Sequence, residues 1–336
     1  MAEIETFALA QDLRICRLVT GMWQVSGAHG RIESDSAVKD MLSYHDAGLT
    51  SWDMADIYGP AEGFFGKFRA MLAASRGEGE LSKVIGLTKF VPNPQTITKQ
   101  LVSRAIQNSL LRMNTSTIDA VQFHWWDYEN RSYLDAMRYL TELQYEGKIR
   151  HLALTNFDTL RMQEMTEAGF KFVSNQVQYS ILDRRPAVKM TGFCKRHGVG
   201  LLAYGTLAGG LLSEKYLGRP EPTRADLDTA SLQKYKQMID VWGGWPLFQK
   251  LLAELGEIAK KHGVQIPNIA TRYVLDKPQV AGVIIGARLG MDEHRKENIR
   301  TLDVHLDDDD RKRIDDVASE SNDLFASIGD CGDEYR

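Results

Sequence analysis

Short apolar runs alternate with longer amphipathic ones along almost the whole chain. The run "CRLVTGMWQ" (16–24) reads as a strand, and "SDSAVKDMLSYHDAG" (34–48), with apolar residues at helical spacing, reads as a helix. The pairing then repeats: "LTSWDMA" with "AEGFFGKFRAMLAAS", "VIGLTKF" with "NPQTITKQLVSRAIQNSLLRM", and "IDAVQFHW" with "YLDAMRYLTELQYEG". It continues through "IRHLALTNF" with "DTLRMQEMTEAG", "FVSNQVQYS" with "RPAVKMTGFCKRHG", "VGLLAYGTL" with the helical "WPLFQKLLAELGEIAKKHG" and "PNIATRYVLDK", and finally "VAGVIIGAR" with helices after it. Within each strand-like run the apolar residues are continuous, which suits parallel strands covered on both faces. Repeated βα units imply a parallel sheet, and eight of them favour a closed (β/α)8 TIM barrel over an open doubly wound sheet.

One interruption is long. Residues 207–246, after the seventh strand, hold Gly209, Gly210, Gly218, Pro220, Pro222, Gly243 and Gly244. An extended loop is expected there, on the face where barrels build active sites. A C-terminal tail is expected from about residue 323, with Cys331 exposed. The whole of 1–336 reads as a single barrel domain.

Composition narrows the class of function. A content of 43% hydrophobic and 26% charged residues is that of an ordinary globular protein. A net charge of −4 with no basic block argues against nucleic-acid binding, which must neutralise phosphates. Cys16, Cys194 and Cys331 lie far apart and form no zinc-like or disulfide spacing, so no metal is expected. The N-terminus has no secretory pattern, and no run is long and apolar enough to span a bilayer. A cytoplasmic, reduced protein without membrane insertion is expected; its oligomeric state is not specified.

The chemistry is sought at the C-terminal ends of the strands. Trp23 follows the first, Asp53 and Tyr58 the second, Lys89 the third, and His124, Trp125 and Trp126 the fourth. Thr155 and Asn156 follow the fifth, Gln176 the sixth, Tyr204 the seventh and Arg288 the eighth. Asp53, Tyr58, Lys89 and His124 come from three adjacent strands and together make a proton donor. A phenol has a pKa of about 10; a nearby ammonium lowers it, a carboxylate keeps that ammonium charged, and a histidine can bond the reacting oxygen. Any one of these alone reads equally well as a surface or ion-pair residue. Proton donation to an alkoxide calls for a hydride source, yet no GxGxxG follows the first strand and no GxSxG elbow is present.

The stretches "GMWQVSG", "DMADIYGPAEGFFGK", "TKF", "FHW", "EGKIRHLALTNF", "SNQVQYS", "AYGTLAGGLLSEKY" and "GVIIGAR…KEN" occur in one order over nearly the whole length. In them the chain resembles the aldo-keto reductase superfamily, in its long-chain bacterial and plant-type NADP-linked branch. The resemblance implies a (β/α)8 barrel that binds NADPH across its C-terminal face and reduces a small-molecule aldehyde or ketone. It implies a catalytic tetrad of Asp53, Tyr58, Lys89 and His124, with Tyr58 as the acid–base residue. It places Thr155, Asn156 and Gln176 at the nicotinamide carboxamide and Tyr204 on the nicotinamide ring. Leu207, Gly209 and Lys215 fall along the pyrophosphate, and Arg288, Glu297 and Asn298 at the adenosine end, where guanidinium–phosphate pairing suits Arg288 to a 2′-phosphate.

The chain departs from the family at Trp126, where proline is common, at Gly205 in "AYGTL", and at His294, where glutamine is common, after a lengthened gap from Arg288. The last departure leaves NADH open beside NADPH. Trp23, Phe90, Trp125 and Trp126 are expected to line the substrate pocket, although aromatic residues also simply fill cores. His29 could reach substrate from the first loop but reads better as a surface residue. Asp56 reads as a loop carboxylate bonding backbone amides. The run Asp307–Asp310 reads as a helix cap rather than a metal site. A second reading of the resemblance is an NADPH-binding regulatory or redox-sensing subunit with little turnover.

Overall fold

A computed structural model describes residues 4–27, 32–291 and 294–335. Its centre is a closed barrel of eight parallel strands, β3 (Leu18–Gly21), β4 (Ser51–Asp53), β5 (Ile85–Phe90), β6 (Ile118–His124), β7 (Ile149–Thr155), β8 (Ser174–Gln178), β9 (Gly200–Tyr204) and β10 (Val280–Gly286). They pair in chain order, and β10 closes on β3 with Gly286 opposite Gly21. The covering helices are α1 (Ser34–Asp46), α2 (Ala61–Arg76), α3 (Lys99–Arg112), α4 (Ser132–Tyr145), α5 (Thr159–Glu167) and α6 (Met190–His197). Then follow α7 (Ala230–Trp242), α8 (Gly244–His262), α9 (Ile266–Leu275), α10 (Arg295–Arg300), α11 (Asp308–Ala318) and α12 (Leu324–Ile328). The (β/α)8 barrel expected from the βα repeat is the fold observed. No described helix is long and apolar enough to cross a membrane.

Alternate residues of a barrel strand face its interior. At the N-terminal end the interior is apolar: Val19, Ile85, Leu87, Ala120, Leu202 and Ala281 form one cluster. It is plugged by an antiparallel hairpin, β1 (Thr6–Ala10) with β2 (Leu13–Cys16), whose Leu9, Leu13 and Ile15 enter the same cluster. The sequence reading assigns no strand before Cys16. The hairpin's pattern is masked by charged residues such as Arg14, which point to the exposed side. Outward-facing residues such as Trp52, Val121, Phe123, Leu152 and Leu154 pack under the helices in a second, larger core.

Three further expectations are corrected. The stretch 207–246 is not an open loop: it contains α7, and Leu232, Tyr235, Ile239 and Trp242 bury that helix in the outer core. Helix α7 lies close over Gly209, whose φ is +67°; a Cβ there would fall 2.9 Å from the Ser231 carbonyl oxygen. The tail forms α12 and is pinned beyond it. Asp330 Oδ2 accepts the Thr159 amide at 2.9 Å, and Arg185 Nη1 donates to the Asp330 carbonyl at 3.1 Å and to Glu334 at 2.9 Å. Cys331 is fully buried rather than exposed, because this anchoring folds it inward, and burial pushes its thiol pKa up. Asp307 caps α11 by accepting the Asp310 amide at 2.9 Å. Asp310 is further engaged by Lys261 and His262, so the acidic run acts as a cap and an ion-pair partner.

Candidate active site

The interior of the barrel changes character at its C-terminal mouth. Along β5 the inward positions read Ile85, Leu87, Lys89; along β6 they read Ala120, Gln122, His124. Lys89 is 3% exposed, and its Nζ donates to Asp53 Oδ2 at 2.6 Å and to the Met54 carbonyl at 3.1 Å. The same Nζ lies 4.9 Å from the centre of the Tyr58 ring. Burial alone would lower the lysine's pKa. Here the Asp53 carboxylate and the Tyr58 phenol overcome it, and the pKa is raised above the ordinary lysine value.

The other Asp53 oxygen, Oδ1, accepts the amide nitrogens of Gln122 and Gln176, each at 2.7 Å. Gln176 Nε2 also donates to Gln122 Oε1 at 2.7 Å. One carboxylate thus gathers side chains from β5, β6 and β8. Gln122 was missed by the sequence reading. Its signal was a polar residue inside the apolar run "IDAVQFHW", two positions before His124 and so on the same face.

His124 is buried, and its Nδ1 donates to the Thr155 carbonyl at 3.1 Å. A carbonyl oxygen only accepts, so the proton sits on Nδ1. Neutral His124 therefore presents a lone pair at Nε2, and only the imidazolium donates from that nitrogen. Trp126 stands edge-on against this ring, with centroids 4.3 Å apart. The family departure at residue 126 thus sits directly on the histidine. Trp23 is half-buried on a 3-10 turn after β3.

Phe90 and Trp125 do not line this site. Strand alternation turns both away from Lys89 and His124, into the core beneath the helices. Phe90 stacks on Phe123 at 5.9 Å, and Trp125 is fully buried with its indole N–H held by the Asp127 and Asn130 carbonyls. His29 lies outside the described residues.

Around the mouth, Thr155 pairs across the sheet with Gln176, and Gln178 with Tyr204. Asn156 adopts φ +56°, and its Oδ1 accepts the Tyr204 hydroxyl at 2.9 Å. Leu207 and Gly209 lie in the turn after β9, under α7. Lys215 is exposed on the 3-10 turn that follows, with its Nζ 5.2 Å from the Tyr216 ring. Arg288 is exposed two residues beyond β10. Glu297 and Asn298 lie on α10; Glu297 is paired with Arg300 at 3.1 Å, and its carbonyl accepts the Asn268 side chain at 2.7 Å.

The family model described as "Aldo/keto reductase family" matches residues 17–319. The chain belongs to the aldo/keto reductase family. As an aldo/keto reductase it is an oxidoreductase. It is 28% identical over 313 residues to L-glyceraldehyde 3-phosphate reductase of Escherichia coli (strain K12), covering 86% of this chain and 85% of that protein. A match of 33% identity to flagellar radial spoke protein 5 of Chlamydomonas reinhardtii spans 177 residues, 47% of this chain and only 33% of that longer protein. The fold is like that of the thermostable aldo-keto reductase Tm1743, solved with the inhibitor epalrestat. The TM-score is 0.71 at 24% identity, over 94% of this chain and 100% of that one.

Proposed function

We propose that this aldo/keto reductase reduces an aldehyde or ketone to the alcohol, with NADPH as its cofactor and Tyr58 as proton donor. The observation that carries the reading is the buried Lys89 ammonium, 2.6 Å from Asp53 on one side and 4.9 Å from the Tyr58 ring centre on the other. NADPH, when bound, supplies hydride to the carbonyl carbon. The protein's task is to protonate the oxygen. Tyr58 gives up its phenolic proton, and the anion left behind is stabilised by Lys89, which Asp53 keeps charged and oriented. Gln122 and Gln176 hold Asp53 in place so that its charge stays on Lys89. Donation from His124 Nε2 to the substrate oxygen requires the imidazolium; in the alcohol direction the same groups run in reverse, and the Tyr58 phenolate takes the hydroxyl proton. Trp23 and Trp126 narrow the approach to that oxygen.

The mouth offers groups that fit a nicotinamide. The Thr155 hydroxyl is buried with no hydrogen-bond partner among the described residues, which suits it to a carboxamide. Gln176 has its amide nitrogen committed to Asp53 and Gln122, so its oxygen is the atom left to meet a ligand N–H. Asn156 keeps its amide nitrogen for the same group, and Tyr204 provides the stacking ring. Leu207, Gly209 and Lys215 would follow the pyrophosphate. Arg288, Glu297 and Asn298 would hold the adenosine end, after Glu297 exchanges its Arg300 partner. The aldehyde in the E. coli relative's name agrees with carbonyl reduction.

The test is Tyr58→Phe assayed with NADPH and a panel of reactive aldehydes, with NADH run alongside. Loss of activity by roughly 10²- to 10⁴-fold is expected for removing the acid. Equal rates for variant and parent would sink the reading. Tight NADPH binding by the parent without turnover of any carbonyl would favour the sensor reading instead.

A further inference from the structure

Tyr58 and Lys89 sit on neighbouring segments, but the β4–β5 pairing ends at Asp53 opposite Leu87. Beyond that point the chain after β4 leaves the sheet, and Tyr58 is five residues further on. One residue closes this gap. The Asp56 N–H donates to the Lys89 carbonyl at 3.1 Å. Both Asp56 carboxylate oxygens accept the Val91 amide, at 3.3 and 3.2 Å. Asp56 thus grips the main chain at the Lys89 carbonyl and the Val91 amide, on either side of Phe90, while the Lys89 side chain returns to the Met54 carbonyl.

We propose that Asp56 is a positioning residue whose carboxyl oxygens staple the Tyr58 loop to the end of β5 and keep the phenol over the Lys89 ammonium. The inference rests on the reading of Tyr58 as proton donor. Its alternative is a carboxylate that merely caps a strand end for stability.

The charge balance separates the two. Burial pushes the Asp56 carboxyl up to about 6, against the lowering effect of the Val91 amide. Glu62 on α2 adds to the rise, while Arg112 on α3 and the Ile57 amide reduce it. Arg112 is itself bound to Glu62 at 2.6 Å, so its charge is largely spent there. On the other side lie Asp53 and Lys89, already paired with each other. A carboxylate whose pKa is raised by folding detracts from stability above that pKa, and the penalty is relieved as pH falls from about 6 toward 3.8. Ionised, the group therefore costs the fold something at neutral pH, so its place is explained by where its acceptor oxygens hold the chain rather than by a gain from charge.

Asp56→Ala tests this, because alanine removes the acceptor for the Val91 amide, with Asp56→Asn, which keeps one acceptor without the charge, as the rescue. Amide exchange over residues 54–60 should speed up in Asp56→Ala at pH 8. With NADPH and 4-nitrobenzaldehyde, its kcat at pH 8 should fall roughly tenfold, the size expected for misplacing a reacting group by a fraction of an ångström. Asp56→Asn should recover most of both and melt at a higher temperature than the parent at pH 8, with the difference shrinking toward pH 4. Unchanged exchange over 54–60 in Asp56→Ala overturns the proposal, as does a parent-like kcat at pH 8 or an Asp56→Asn variant as impaired as Asp56→Ala. Tyr58→Phe serves as the control. It should lose turnover while keeping the parent's exchange pattern, so failure of the staple and failure of the proton-donor reading give different results. If the parent turns over no carbonyl, the exchange and melting comparisons still decide Asp56.

Discussion

The two ends of one barrel are built from the same strands to opposite rules. At the N-terminal end, Ile85 and Leu87 of β5 meet Ala120 of β6, Leu202 of β9 and the plug residues Leu9, Leu13 and Ile15 in a dry apolar cluster. One step along β5 and β6, the inward positions become Lys89 and Gln122, gathered with Gln176 around the Asp53 carboxylate. Burial is equally deep at both ends: Leu87 is 1% exposed and Lys89 is 3%. The difference is in how burial is made tolerable. Apolar side chains gain from leaving water in any close packing, whereas a buried ammonium needs a particular partner at a particular distance. The floor can therefore change residues and remain a floor, and the mouth cannot.

Substitutions along β5 put this contrast to measurement. The largest effect is expected for Lys89→Met, which strikes both properties. Activity should fall roughly 10²- to 10⁴-fold for loss of the tyrosine's cationic partner. Stability to urea should fall by about 3–5 kcal/mol, because Asp53 is left buried without its ion. Adding Asp53→Asn should restore much of the stability and none of the activity; a double variant as unstable as the single one would contradict the ion-pair account. Next in size, Leu87→Ala should cost about 2–5 kcal/mol in the same denaturation experiment. Its kcat and KM, taken well below the melting temperature, should match the parent's; a selective loss of kcat would mean that floor and mouth are mechanically coupled. The smallest effect concerns the thiols. Cys16, Cys194 and Cys331 are all buried free thiols, so a thiol reagent such as DTNB should label none in the native protein and all of them in urea. Rapid native labelling of Cys331 would mean that the tail is not held by Arg185.

Particular residues show what was legible in the chain. Asp53, Lys89 and His124 could be picked out because each is polar at the end of an apolar run, and barrels put chemistry at strand ends. Tyr58 was reachable because a short loop cannot carry it far from Asp53. Gln122 shares the face of His124 by strand alternation, but looking at strand ends alone does not bring a mid-strand residue into view. Phe90 and Trp125 were misplaced by the same alternation: each is next to Lys89 or His124 along the chain and so points the other way. The tail and α7 were misread because their glycines, prolines and charges look like loop. Arg185, Asp330 and Glu334 show their use only when residues nearly 150 positions apart in sequence are brought together.

By itself the sequence determined the barrel, through eight apolar runs each followed by an amphipathic one, and it determined the family through motifs that keep their order. Those are local properties, written in patterns a few residues long. Only the tertiary structure decided which neighbours of Lys89 and His124 face the mouth, that Asp53 serves three donors, that His124 Nδ1 meets the Thr155 carbonyl, and that Asp56 reaches across to the strand bearing Lys89. Each of these depends on strand register and on contacts between segments tens of residues apart. Hydrophobic patterning sets which face of an element is buried; it does not choose which buried polar group meets which, because that choice is made by closing the barrel.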